Sequence, residues 1–484
     1  MFAQSNLSII FLYYFIRGFD VLCFKTPGKR ESKLEYKDKR VLVCGMAKSG
    51  VSAAKLLNTI GAKVTLQDMK KREEIKEAQF FENEGISLFL GANPDEIVLA
   101  QDLIVLSPGI PCDLSFILKA ETAGIPVISE VELAYTLTPC PVTAITGTNG
   151  KTTTTTLVGQ IMQAVKPNTA VVGNIGVSYS GQVTRLTKDD WVVAEISSFQ
   201  MEKAKSFCPH ISAVLNISPD HLNRHKTMGN YIAMKERVFK NQDEKDFCIL
   251  NYSDEVCHKM ADKTKARVFF FCSKEALSQG IYLDGDMIHL RWDGIDEDLI
   301  SVHELQVLGM HNYENVMAAV AMAIAAEVPL DTIREVLRKF SGVEHRIEYV
   351  ATVDGVDYYN DSKGTNTDAS IRAVLAMKKP IVLIGGGYDK GVSFDDWTKL
   401  FQGRVKHLVL IGVTAQQIRE SAEKFGFTNI SICHTFVEAV NLCKEKAAEG
   451  DCVLLSPACA SWGMFDNYEQ RGDMFKEQVR GFKR

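Results

Sequence analysis

Thr146-Gly147-Thr148-Asn149-Gly150-Lys151-Thr152 stands directly after an apolar run, Val142 to Ile145, and directly before a stretch with helical spacing. A polyphosphate needs backbone N–H groups that converge on it without side-chain obstruction, which glycines permit, and it gains from the positive end of a helix. Lys151 is placed to neutralise the outer phosphates and the Thr152 hydroxyl to reach Mg²⁺. Gly147, Thr148, Asn149, Gly150, Lys151, Thr152 and Thr153 are therefore the expected ATP-binding loop. The general pattern Gly-x-x-x-x-Gly-Lys-Ser/Thr has its first glycine where this chain has Ile145, and the loop opens with Gly147 instead. A tight strand–helix turn with a surface lysine would account for the glycines, but not for the Gly-Lys-Thr order with both flanks correct.

Further polar residues fall at the ends of apolar runs, where open α/β sheets carry their sites. Glu195 follows Trp191 to Ala194 and is a candidate magnesium ligand, although a lone carboxylate there is more often a helix cap or a solvated turn. Asp220-His221 ends the next run and His225 lies four residues on. The intervening Leu222, Asn223 and Arg224 lack the glutamate of a zinc-protease helix, so zinc is discounted and His221 is kept as a polar site residue. Near the start, Gly45-Met46-Ala47-Lys48-Ser49-Gly50 looks like a dinucleotide fingerprint whose second glycine is replaced by Ala47.

These loops need sheets to hold them. The chain has 484 residues, enough for two to four domains. From Arg40 onward strand and helix patterns alternate: Val41 to Cys44, a turn over Gly45 to Gly50, a helix over Val51 to Ile60, then strands at Val64 to Leu66, Ile104 to Leu106 and Val127-Ile128. A second α/β run starts at Val142 and closes with helices over Asn312 to Ala326 and Leu330 to Phe340. A third opens with a hairpin signal, Val353-Asp354-Gly355-Val356, and continues through strands at Ile381 to Ile384, Leu408 to Ile411 and Val453 to Leu455. The fold class expected is α/β in three domains: Rossmann-like, a central P-loop ATPase type, and a second Rossmann-like domain. The expected boundaries are an appendage over 1–34 and domains over 35–139, 140–342 and 343–484.

Composition narrows the partners. Lys plus Arg is 55 against 60 Asp plus Glu, a net charge of −5, and no basic excess points to nucleic acid. The longest apolar run, Leu7 to Ile16, is interrupted by Arg17 and Asp20 well short of a membrane span, and it lacks the basic flank and cleavage site of a signal peptide. The 12 cysteines form no Cys-x-x-Cys pair and read as reduced cytosolic thiols in cores.

Taken in order, Thr146 to Thr155, Gly173-Asn174-Ile175-Gly176, Glu195 to Gln200, Asp220-His221, Gly309-Met310-His311-Asn312, His345-Arg346 and Asp361 to Asn366 resemble the Mur ligases of peptidoglycan synthesis. The run Leu455 to Phe465, with Tyr468 and Arg471-Gly472, looks like the D-glutamate-adding branch of that family. The resemblance implies a cytoplasmic, monomeric enzyme that uses ATP and Mg²⁺ to join D-glutamate to UDP-N-acetylmuramoyl-L-alanine through an acyl phosphate, with a sister ligase that adds another amino acid as the alternative. It also implies roles. Ser49, Asp68, Gly109 and Asn174 would meet the UDP substrate, while Asn312, Asn315, Arg346 and Asp361 would hold the nucleotide. Lys363 would face the reacting phosphoryl group, and Thr365, Lys390, Ser461 and Tyr468 would surround D-glutamate. Thr152, Glu195, His221 and Lys235 would hold metal, with Lys235 carbamylated by CO₂ into an anionic ligand. Lys151, His221, Lys235 and Lys363 form the catalytic set. Without the resemblance, Lys235 on a helix would read as a surface residue; His311 is expected to be a packing or capping residue rather than a chemical one.

Two residues depart from the family's habit: Gly463 where Asp is frequent and Tyr468 where Phe is common. Three rival readings are weaker. A nicotinamide oxidoreductase would leave the phosphate loop unexplained, a nucleotide switch would leave Asp361 to Asn366 and Ser456 to Ser461 without a role, and folate polyglutamate ligation does not call for the dinucleotide-like first domain.

Overall fold

The computed structural model describes residues 35–389 and 391–482. The expected appendage over 1–34 and the candidate ligand Lys390 lie outside the described residues. Among the described residues three sheets organise the chain.

The first sheet has five parallel strands in the spatial order Ser87–Leu90, Lys63–Asp68, Arg40–Cys44, Leu103–Leu106 and Val127–Ser129. Val41 pairs with Val64 on one side and Leu103 on the other, and Val41 to Cys44 are buried, as the near-continuous apolar run of a central parallel strand requires. The order reverses between Arg40–Cys44 and Leu103–Leu106, so the Gly45 to Gly50 loop sits at the switch point where such sheets bind ligands. The helix after it spans Lys48–Thr59, three residues earlier than the spacing predicts, so Lys48, Ser49 and Gly50 already belong to its first turn. Gly50 permits this: a Cβ there would lie 1.8 Å from the Gly45 carbonyl oxygen. The Ser87–Leu90 strand, only half-buried, carried no clear alternation in the sequence.

The second sheet has nine strands, in the order Ile295–Ser301, Met287–Trp292, Gly280–Asp284, Arg267–Cys272, Phe247–Asn251, Ile211–Val214, Val142–Thr146, Val192–Glu195 and Ala170–Gly173. Ile211–Val214 to Gly280–Asp284 pair in parallel, and the last two strands toward the Ile295–Ser301 edge are antiparallel. The helix Met310–Ala325 packs against the helix Lys151–Val165 and against the strands Arg267–Cys272 and Phe247–Asn251. Its small residues, Ala318, Ala319, Ala321 and Ala323, are fully enclosed and allow that close approach.

The third sheet runs Glu348–Val353, Val356–Asn360, Cys452–Leu455, Ile381–Gly385, Val405–Leu410 and Ile430–Ile432. Its edge is the expected hairpin: Val353 pairs with Val356, and Asp354 and Gly355 both take positive φ, 52° and 77°, the geometry of a two-residue turn whose twist matches its strands. The other strands are parallel, with Trp397 and Phe401 in the core on one face and Tyr358 and Phe475 in the core on the other.

Among the described residues the backbone gathers into two compact units, one within 35–143, Ser178–Val192 and Glu202–His210, the other within Ala144–Val177, Val193–Met201 and 211–482. The phosphate loop and the whole third sheet belong to the second unit. No helix among the described residues is long and apolar enough to cross a membrane.

The Gly50 contact yields an expected outcome. Gly50→Ala drives a methyl group into a backbone oxygen that cannot swing away, so it should cost the first unit about 3 kcal/mol. Urea unfolding followed by circular dichroism should show an early transition absent from the parent chain.

Candidate active site

The phosphate loop leaves the strand Val142–Thr146 and enters the helix Lys151–Val165. Gly147 and Gly150 take φ of 149° and 84°, and a Cβ on Gly150 would fall 2.2 Å from the Asn315 side-chain oxygen. Both glycines are therefore required by backbone shape and by packing. The loop is pinned from the neighbouring strand end. Thr148 N donates to the Asn216 carbonyl (2.9 Å), Asn149 N donates to Asn216 Oδ1 (2.9 Å), and Asn216 Nδ2 returns a bond to the Asn149 carbonyl (3.1 Å). The Thr148 hydroxyl lies 3.1 Å from the Ser218 carbonyl and 3.0 Å from the Tyr231 hydroxyl.

Two lysines converge under this loop. Lys151 Nζ donates to the carbonyls of Gly147 (3.0 Å) and Thr148 (2.8 Å), and Lys235 Nζ donates to the same Gly147 carbonyl (2.7 Å). Burial pulls the Lys151 ammonium below the ordinary lysine value, with Glu195 opposing and Arg346 adding to the effect. Lys235 is only 2% exposed, and burial, then the adjacent Lys151 charge, bring its ammonium down to about 7. The surface reading of this lysine is therefore wrong: the helix Met228–Glu236 turns it inward, beneath the phosphate loop.

Glu195 is buried at the end of its strand, with Oε1 accepting from Asn174 Nδ2 at 2.9 Å and Oε2 without a partner. Asn174 therefore serves first to orient Glu195. Gly173 lets the two backbones touch, since a Cβ there would lie 2.2 Å from the Glu195 carbonyl oxygen. A buried carboxylate oxygen lacking a partner fits a hard cation such as Mg²⁺, which takes one or two carboxylates and completes its shell with water and phosphate. His221 is half-exposed, takes a positive φ of 53°, and packs its ring at a tilt against Phe199 with ring centroids 4.8 Å apart. Phe199 also stacks on the buried His225, whose Nε2 lies 2.9 Å from the Ser198 hydroxyl.

A cavity of about 450 Å³ brings together Asn149, Gly150, Thr153, Asn312, Asn315, Arg346 and Asp361, all expected at the nucleotide. Asn315 is held by Asn312 Oδ1 (3.2 Å) and the Thr154 hydroxyl (3.3 Å), and Asn312 by the Leu308 carbonyl (2.8 Å). Asp361 is buried and accepts from the Ser456 hydroxyl (2.7 Å), and burial raises its carboxyl to about 7. Arg346 Nε is buried with no partner, a donor with room for a ligand oxygen. His311, Glu314 and Arg372 also line the cavity and were not singled out as ligands. His311 is held neutral, its ring nitrogen brought down to about 4 by burial and then by Arg372 and Arg346.

On the third sheet Lys363 Nζ sits over the Tyr468 ring at 5.2 Å, and Tyr468, which opens the helix Tyr468–Gly481, accepts at its carbonyl from the Ser362 hydroxyl (2.8 Å). Thr365 N closes a tight turn onto the Lys363 carbonyl (2.9 Å), and the buried Ser461 accepts from Phe465 N (3.0 Å). Arg471, given no role from the sequence, is fully buried and donates to the Ser362 hydroxyl (2.9 Å), the Ser362 carbonyl (2.7 Å) and the Cys459 carbonyl (3.3 Å). It ties the loop carrying Asp361, Lys363 and Thr365 to the one carrying Ser461. The Arg471-Gly472 pair was visible in the sequence, but nothing local distinguishes a buried arginine from a surface one.

In the first unit, Asp68 Oδ2 accepts from Met46 N (2.7 Å) and so holds the loop before Ser49, while Oδ1 accepts from Lys70 N (3.0 Å) in its own turn. Gly109 is exposed with open space around it.

Family models match the chain over three stretches: Mur ligase MurD-like, N-terminal domain, over residues 39–129; Mur ligase middle domain over 145–323; and Mur ligase, glutamate ligase domain, over 345–459. A UDP-N-acetylmuramoylalanine–D-glutamate ligase of Lachnospira eligens is 50% identical over 447 residues, 92% of this chain and 99% of the relative. One of Lachnoclostridium phytofermentans is 49% identical over 453 residues, 93% and 100% of the two chains. Among solved structures, the UDP-N-acetylmuramate-alanine ligase MurC of Thermotoga maritima superposes with a TM-score of 0.58 at 18% identity, covering 92% of this chain and 99% of its own, which shows a shared fold.

The buried Asp361 carboxyl should give the chain a distinct pH response. Folded, it keeps its proton up to about pH 7, whereas an unfolded carboxyl releases it near 3.8, so the stability it contributes is full below 3.8 and lost as the pH rises through 7. Asp361→Asn removes this titration. Relative to the parent, the variant should gain about 2–4 kcal/mol between pH 4 and pH 8, read from urea midpoints at both pH values without nucleotide.

Proposed function

The chain belongs to the Mur ligase family, and from that premise we propose that it joins D-glutamate to UDP-N-acetylmuramoyl-L-alanine with hydrolysis of ATP to ADP and phosphate. The product is a peptidoglycan precursor, so the reaction serves cell-wall growth, cell shape and division, and its setting is the cytoplasm. The observation that carries the reading is the single cavity in which phosphate-loop residues Asn149 and Gly150 meet Arg346 and Asp361. The choice of D-glutamate rests on the full-length likeness to relatives of that name. Residues 35–139 serve the UDP substrate, 140–342 the nucleotide and 343–484 the amino acid, in a monomer.

The chemistry has two steps. A carboxylate oxygen of the alanine stem attacks the γ-phosphorus of ATP, the bond to the β-phosphate oxygen breaks, and ADP leaves an acyl phosphate. The amine of D-glutamate then attacks the acyl carbon, phosphate departs, and the nitrogen loses a proton to give the amide. The first step sets anion against anion, so cations must stand between them. Lys151 and Lys363 supply fixed positive charge, the loop amides orient the phosphates, and Asn312, Asn315, Arg346 and Asp361 fix the nucleoside end. Mg²⁺, when bound, neutralises phosphate charge and aligns the γ-phosphate, and Thr152, Glu195, His221 and Lys235 are the residues to hold it. Ser49, Asp68, Gly109 and Asn174 serve the UDP substrate, and Thr365, Lys390, Ser461 and Tyr468 the D-glutamate carboxylates.

Lys235 enters the set as a carbamate: its neutral amine adds to CO₂ with loss of a proton, turning a buried cation into an anion beside the loop. Burial under the loop, 2.7 Å from a carbonyl, supports this role, because an ammonium there competes with Lys151 for one oxygen.

Purified chain incubated with ATP, Mg²⁺, UDP-N-acetylmuramoyl-L-alanine and a panel of amino acids should release phosphate fastest with D-glutamate, at least about tenfold over L-glutamate or D-aspartate. Equal rates with L-alanine or a diamino acid would point to a sister ligase. Lys235→Ala should lose most activity and regain part of it in concentrated acetate, while Lys235→Arg should stay inactive because a guanidinium cannot become an anionic ligand. Full activity in Lys235→Arg would remove the carbamate.

A further inference from the structure

Asn149 is the middle residue of the phosphate loop, and its backbone is held on both sides by Asn216. Its side chain is held from elsewhere. With the amide oriented to satisfy its neighbours, the Asn149 side-chain oxygen accepts from both terminal nitrogens of Arg372, at 3.1 and 2.9 Å. Arg372 lies on the helix Thr367–Ala376, which starts where the Asp361 to Asn366 loop ends and is capped by Asn366 Oδ1 accepting from Ala369 N at 2.8 Å. Arg372 and Asn149 both line the 450 Å³ cavity, as do Arg346 and Asp361. One side chain therefore bridges the element that carries the amino-acid end of the site to the loop that carries the phosphates.

We propose that Arg372 is a positioning residue for ATP: its guanidinium grips Asn149 and holds the phosphate loop and the Asp361 to Asn366 segment in the one arrangement that accepts the nucleotide. Two N–H groups on a single oxygen fix both the distance and the tilt of the helix, which a lysine on a flexible stem does not. The charge also adds to that of Arg346, which lines the same cavity. None of the residues given catalytic roles above is needed for this bridge, and nothing in the local sequence marks Arg372, which sits at an ordinary helical position. The inference rests on the nucleotide reading of the cavity.

The test compares steady-state kinetics of the full chain carrying Arg372→Ala, Arg372→Lys, Asn149→Ala, and Arg372→Ala with Asn149→Ala, with thermal midpoints as the check on folding. Arg372→Ala should raise KM for ATP about tenfold or more, the size of a lost charged hydrogen bond, while KM for D-glutamate stays within about twofold. Arg372→Lys, which keeps the charge and the fold, should recover only part of the loss. The double variant should be no worse than the poorer single one, because both remove the same contact. An unchanged KM for ATP in both Arg372 variants, effects of Arg372→Ala and Asn149→Ala that multiply in the double variant, or an equal rise in KM for D-glutamate would each overturn the bridge. Lys151→Ala in the same series separates the two levels. If it is inactive while Arg372→Ala is normal, only this inference fails; if it turns over normally, the nucleotide reading itself falls.

Discussion

The Nζ atoms of the half-buried Lys151 and the buried Lys235 both donate to one carbonyl oxygen, that of Gly147. Like charges so placed repel, and the repulsion falls on a loop with no internal means of resisting it. Much of the surrounding structure answers this constraint. Asn216 fixes the loop backbone from the adjacent strand end, Tyr231 and Ser218 hold the Thr148 hydroxyl, and Asn315 fills the space left by the missing side chain of Gly150. The same juxtaposition concentrates positive charge at the loop, which favours anionic groups beside it.

The neighbouring elements meet the loop through close backbone approaches rather than through large side chains. Gly173 touches the Glu195 backbone, Gly150 touches the Asn315 side chain, and Gly50 touches Gly45 in the loop after the Arg40–Cys44 strand. Each removes a Cβ that would hold two elements apart by an ångström or more, so the polar ends of strands come into reach of one another. Glu195, oriented by Asn174 and left with one free buried oxygen, is the clearest product of that closeness.

How much of this was legible in the sequence depended on whether the signal was local. The phosphate loop, the hairpin at Asp354-Gly355 and such strands as Val41 to Cys44, Ile381 to Ile384 and Val453 to Leu455 are written in short windows, since turn chemistry and apolar runs act over a few residues. The Gly45 to Gly50 turn was read too long because glycines at both ends suggested a loop, whereas Gly50 serves a tight helix–strand contact. Lys235 and Arg471 were opaque from local pattern. A charged residue on a helix is ordinarily solvated, and only the partners brought from distant chain, Gly147 for the one and Ser362 and Cys459 for the other, make burial tolerable. The strands from Gly280 to Ser301 escaped because their pattern mixes charge with apolar residues in a way that local periodicity does not resolve.

That mixed pattern has a use at the rim of the nine-stranded sheet. Its outermost strand, Ile295–Ser301, carries Asp296, Glu297 and Asp298 in succession, and across the ladder His289 and Arg291 neutralise part of this charge from the inner side. A second molecule adding a strand there would have to strip water from carboxylates on both faces of the pleat while finding its opposite charges already engaged. The charges on this border therefore oppose edge-to-edge pairing along Ile295–Ser301.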